Sequence, residues 1–140
     1  MDAQALIGTW KMISWTRRVV ATGEVSDAMG ADPVGYIAYQ PDGRMMAFVA
    51  NRQRPAGRRE GYSDADKATL FDTMLAYTAT YTLEGDRVVH HVDAAWDPAW
   101  QEDQIRPIRL EGDRLVIHNA PGKDLLSSQD VIFRLEFRKL

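Results

Sequence analysis

The chain has no cysteine. That excludes a disulfide framework, thiolate nucleophiles and cysteine-ligated metals. It also has no excess of positive charge: 17 Lys and Arg stand against 20 Asp and Glu, a net charge of −3. The electrostatic footprint of a nucleic-acid binder is missing, and no nucleic-acid partner is expected. No run is long and apolar enough to span a bilayer. Met1-Asp2-Ala3-Gln4 shows no basic region followed by an apolar run, so no signal peptide and no membrane partner are expected, and a cytoplasmic location is. There is no phosphate-cradling glycine loop and no nucleophile elbow. The three histidines are His90, His91 and His118; the first two alternate along one strand-like run and the third reads as external. No metal site and no cofactor is expected.

What remains is an ordinary globular composition over 140 residues, 45% hydrophobic and 26% charged, which fits one domain spanning 1–140. Within it a hairpin cassette occurs twice. Leu83-Glu84-Gly85-Asp86-Arg87-Val88 is nearly repeated as Leu110-Glu111-Gly112-Asp113-Arg114-Leu115. Each places a Gly-Asp turn between runs of period two, as a tight hairpin requires. Tyr39-Gln40-Pro41-Asp42-Gly43-Arg44-Met45 carries a longer Pro-Asp-Gly turn. Extended runs at 7–20, 34–39, 45–50, 77–83, 88–94, 104–110, 115–118 and 129–138 make eight strands. Residues 21–33 and 51–61 read as loops, and the arginines at 52, 54, 58 and 59 as a solvated charge cluster. One helix is expected over 63–76, with Ser63 as N-cap, Asp64 and Asp66 in the first turn, and Ala68, Phe71, Met74 and Leu75 at helical spacing. The fold class is mostly β: an eight-stranded antiparallel up-and-down barrel with one helix, large enough to hold one small ligand.

Cross-strand register assigns the faces. Pairing Leu83 with Val88 sets Tyr81 opposite His90, Ala79 opposite Val92 and Tyr77 opposite Ala94. This face is the more apolar, so it points inward and His91 points out. In the third hairpin Leu110 faces Leu115, Ile108 faces Ile117, and Arg106 falls on the interior face. In the first, Tyr39 with Met45 and Ile37 with Ala47 are placed inside, against a nearly equally apolar face of Tyr36, Met46 and Phe48. Val131, Phe133, Leu135 and Phe137 point in from the last strand. Two tyrosines, a histidine and an arginine make an interior too polar for packing alone; such groups need partners, whether one another, water or a ligand.

Gly8-Thr9-Trp10 matches the short G-x-W motif. With Gly35 to Met45, Val89-His90-His91-Val92 and Asp97-Pro98-Ala99-Trp100, the chain resembles the bacterial and fungal lipocalin-like domain family over nearly its whole length. The resemblance implies a calycin-type barrel with a central cavity. It also implies that Trp10 closes one end under an arginine of the last strand, Arg134 or Arg138, and some relatives of this barrel type act as cyclases or isomerases.

Two functions are carried forward. In the first, the barrel binds a small hydrophobic molecule, with Tyr39, Met45, Tyr77, Tyr81, His90, Trp96, Trp100 and Arg106 as ligand contacts. In the second, the same pocket is a cofactor-independent isomerase, cyclase or lyase acting on a polyketide-like or terpenoid-like compound. There His90 would be the acid/base, Tyr81 an oxygen donor and Arg106 an anion holder. A third reading, a barrel filled by side chains, stays beside them. Trp96 and Trp100, flanking a turn, leave open an aromatic lid, a subunit interface in a homodimer, or packing of the loop on the helix.

Overall fold

The computed structural model describes residues 2–119, 122–123 and 129–140, the pair 122–123 by backbone alone. In chain order the described strands are β1 (Gly8–Val19), β2 (Val25–Asp27), β3 (Val34–Tyr39), β4 (Arg44–Ala50), β5 (Met74–Glu84), β6 (Arg87–Ala95), β7 (Asp103–Glu111), β8 (Arg114–His118), β9 (Gly122–Lys123) and β10 (Asp130–Lys139). The α-helices among the described residues are α1 (Ala3–Leu6) and α2 (Asp64–Asp72). Each long strand pairs antiparallel with its neighbour, and β1 pairs with β10 to close an eight-stranded barrel. Short β2 and β9 extend the rims of β1 and β10. Closure leaves the eight barrel strands without an open edge.

The three hairpin turns gather at one end. Tyr39 pairs with Met45, Leu83 with Val88 and Leu110 with Leu115, as the cassettes require. Gly43, Gly85 and Gly112 carry the positive φ of these turns. Tyr39, Met45, Ile37 and Ala47 are buried, while Tyr36, Met46 and Phe48 lie on the outer face and are 40%, 49% and 40% exposed.

Register departs from uniform alternation at two bulges. Tyr77 pairs with Ala95, not Ala94, because Asp93 is an extra residue opposite the step from Thr78 to Ala79. Its carboxylate stays outside, accepting from the Thr78 hydroxyl (2.8 Å) and pairing with Arg44 (2.9 Å). The Thr78 hydrogen bond, then Arg44, holds that carboxyl below its ordinary pKa. The second bulge, between Met12 and Ser14, lets Trp10, Met12 and Trp15 all face inward.

Other boundaries also differ from expectation. The helix ends at Asp72 rather than 76, because Met74 and Leu75 pair with Ala50 and Val49 and sheet pairing overrides helical spacing. Leu75 is consequently a barrel core residue, 6% exposed. Ser63 and Asp66 form the capping box expected at the helix start. The 21–33 loop contains β2. Within the arginine cluster, Arg54 donates to Leu70 O (2.8 Å) and Thr73 Oγ1 (3.2 Å) at the end of α2, and Arg52 pairs with Asp32 (3.1 Å). A cation on the last carbonyls complements the helix dipole.

At the turn end, α1 and the start of β1 seal the barrel. Leu6 and Trp10 are fully buried, and Trp10 Nε1 donates to Leu6 O at 2.9 Å. The cation over the Trp10 ring is Lys139, its Nζ 5.3 Å from the ring centroid, not Arg134 or Arg138. Lys139 is the residue paired with Trp10 across β1 and β10, while Arg134 lies farther along and pairs with Glu136. Gly8 has φ +138°, and a Cβ there would lie 2.9 Å from Lys139 Cε. A side chain at this position would be both strained and crowded.

Candidate functional site

Above the sealed end the interior opens into a cavity of about 460 Å³. Its wall is mainly apolar, with Trp15, Leu75, Ile117, Phe133, Leu135 and Phe137 among the lining residues. That volume and lining are those of a small-molecule site. The polar lining includes Tyr77, His90, Gln104 and Arg106 from the walls, and Asp97 and Glu102 from the loop after β6.

His90 lies on β6, 1% exposed. Its Nε2 is 2.7 Å from the Tyr39 hydroxyl and its Nδ1 2.9 Å from the Tyr77 hydroxyl. Burial first, then the positive charge of Arg106 and the neighbouring His91, push its pKa down to about 3, so the imidazole is neutral. Burial raises the Tyr77 phenol to about 12 and the Tyr39 phenol well above its ordinary value. The three side chains form one uncharged, hydrogen-bonded row across the barrel.

Arg106 reaches the cavity from β7. Its Nη2 donates to Gln104 Oε1 at 2.9 Å and its Nη1 to Ile105 O at 3.3 Å. No carboxylate pairs with it among the described residues. Its charge is felt by Tyr39, Tyr77 and His90 alike.

Of the eight side chains expected at the ligand, Tyr77, His90, Trp100 and Arg106 line the cavity. Tyr39 and Met45 are not among the residues that line it and belong to the buried core cluster. Tyr81 donates its hydroxyl to Gln40 O (2.8 Å) and stands edge-on to Tyr39, their centroids 5.0 Å apart. Consequently His90, Tyr81 and Arg106 do not form a hydrogen-bonded trio; the partners of His90 are Tyr39 and Tyr77. Trp96 sits one layer out, its Nε1 donating to Phe71 O of α2 (3.2 Å) and its ring 5.2 Å from Trp100. Trp100 continues inward to Tyr77 at 5.8 Å. Phe71, Trp96, Trp100 and Tyr77 thus make a continuous aromatic stack from helix to cavity.

Sequence reading missed Trp15, whose inward orientation depends on the β1 bulge. It placed Phe133 and Leu135 on the inner face without naming them as ligand contacts. His118, read as external, is among the lining residues at the end of β8. Burial, then Arg134 and Arg109, lower its pKa. His91 is on the outer face as expected, bonded to Asp103 (2.9 Å) and Thr82 (3.0 Å). Among the described residues no helix is long and apolar enough to cross a membrane.

A family model for a lipocalin-like domain matches residues 7–138. No curated protein matches the chain.

Proposed function

The chain belongs to the lipocalin-like domain family, and from that premise we propose that it binds one small, mainly hydrophobic molecule inside the barrel. The observation that carries this reading is the cavity of about 460 Å³, walled by aromatic and aliphatic side chains. An apolar molecule entering it removes both its own surface and the cavity lining from water, at roughly 25 cal/mol per Å² of apolar area. Trp100 is the aromatic contact at the loop side, backed by Trp96 and Phe71.

The alternative is a cofactor-independent isomerase, cyclase or lyase in the same cavity. The surroundings of His90 do not favour it as the proton carrier. Both ring nitrogens are engaged by tyrosines, and a pKa near 3 makes the imidazole a weak base at neutral pH. An enzyme reading would have to use Tyr77 and Arg106 to stabilise an oxyanion instead.

Titration with the neutral dye N-phenylnaphthylamine tests the binding reading. Wild type is expected to bind one dye per barrel, saturably. Ala47→Phe and Leu135→Phe each push a ring into the cavity from a different strand, and each is expected to weaken binding at least about tenfold. Circular dichroism establishes that each variant is folded. Unchanged affinity in both folded variants would refute the cavity as the binding site.

A further inference from the structure

We propose that the cavity is built for an organic acid: an apolar body against Trp15, Phe133 and Leu135, with a carboxylate held between the Arg106 guanidinium and the Tyr77 hydroxyl. This deepens the reading of the barrel as a small-molecule binder and rests on it.

The first observation is the arginine. Arg106 is half-buried on the wall of a mainly apolar cavity, where an anionic group would gain from its charge more than in open water. Gln104 and the Ile105 carbonyl supply neutral acceptors for two of its N–H groups. No carboxylate among the described residues neutralises it; Asp97 and Glu102, which also line the cavity, form no ion pair with it. Guanidinium geometry suits a carboxylate, which it can grip with two parallel hydrogen bonds.

The second observation is the direction of the buried hydrogen-bond row. Tyr39 is 1% exposed, and its hydroxyl has His90 Nε2 as its hydrogen-bond partner. A buried O–H needs an acceptor. Tyr39 therefore donates to Nε2, the neutral imidazole carries its proton on Nδ1, and Nδ1–H donates to the Tyr77 oxygen. That leaves the Tyr77 O–H as a donor with no acceptor inside the row, on a residue that lines the cavity. The opposite order would strand the Tyr39 proton in the core. The row thus ends in a polarised donor on the cavity that Arg106 also lines, and the group that satisfies both is an anionic acceptor.

A third feature agrees. Trp15 lines the same cavity, and its buried Nε1 has no hydrogen-bond partner among the described residues. Any polar group on the ligand body would meet another donor there, not an acceptor.

The test compares decanoic acid with its methyl ester by calorimetric titration at neutral pH, where the acid is ionised. Wild type is expected to prefer the acid by about tenfold or more. Arg106→Gln is expected to bring acid and ester within about threefold by weakening the acid alone, whereas Arg106→Lys keeps part of the preference. Tyr77→Phe is expected to reduce the preference for the acid severalfold. Equal binding of acid and ester by wild type, or a preference that survives Arg106→Gln, would overturn the acid proposal while leaving the hydrophobic-binding reading intact. Binding of neither compound, with N-phenylnaphthylamine also excluded, would overturn both.

Discussion

Between pH 6.5 and about pH 3 the fold is expected to lose on the order of 5 kcal/mol through His90 alone. Above pH 6.5 the imidazole is neutral in both the folded and unfolded chain, and its titration contributes nothing. Below that point the unfolded chain takes up a proton that the folded one refuses. The ring is buried, its two nitrogens are held by Tyr39 and Tyr77, and Arg106 adds repulsion. Stability therefore falls with decreasing pH by up to about 1.4 kcal/mol per unit until the folded pKa is reached. A loss of this size is comparable to the whole stability of many small domains. Urea unfolding across a pH series checks it. His90→Gln keeps an amide that can bond to the tyrosines but has no titrating group. The variant is expected to start less stable at neutral pH and to fall less steeply on acidification, by one proton's worth of slope. Parallel pH dependences for wild type and variant would mean that His90 is not held neutral in the folded barrel.

Trp10→Ala is expected to lower stability by about 3–5 kcal/mol, the range for a buried aromatic cut to a methyl group. The indole is fully buried at the sealed end, bonds to the Leu6 carbonyl and lies under the Lys139 ammonium. Removing it opens a void, leaves Leu6 O without its donor and frees α1 from its anchor. Trp10→Phe refills most of the volume without the N–H and is expected to recover more than half of the loss. Denaturant midpoints for the two variants give the answer, and a loss below about 1 kcal/mol for the alanine variant would remove Trp10 from its role as the plug.

The fold was legible because its signals are local. Gly-Asp and Pro-Asp-Gly turns fix hairpin register, and register fixes which face every second residue presents. That argument alone puts His90, Tyr77 and Arg106 on the interior face, and all three line the cavity. What escaped the sequence is where period two breaks. The β1 bulge between Met12 and Ser14 turns Trp15 into a cavity residue, and the bulge at Asp93 shifts Tyr77 from Ala94 to Ala95. Hydrophobic spacing carried the helix past its end, because Met74 and Leu75 fit a helical stripe as well as the strand they join. The partners of His90 were also beyond reach. Tyr81 is its nearest neighbour across the β5–β6 pair, but the hydroxyls that meet it come from Tyr77 on the same strand and from Tyr39 on β3. Contact between side chains that converge inside a closed barrel depends on its curvature, which pairwise register does not encode.

The four tryptophans allow the central claim, that one apolar molecule occupies the cavity, to be read residue by residue. Trp15 and Trp100 line the cavity, Trp96 stands one layer out against α2, and Trp10 is sealed at the opposite end. The decisive measurement follows the four indole N–H resonances by NMR during titration with N-phenylnaphthylamine, whose rings shift nearby nuclei strongly. Large saturable shifts of Trp15 and Trp100, a smaller one of Trp96 and none of Trp10 are the predicted result. Saturation that leaves the Trp15 and Trp100 resonances unmoved would contradict the account, because the dye would then be bound outside the cavity.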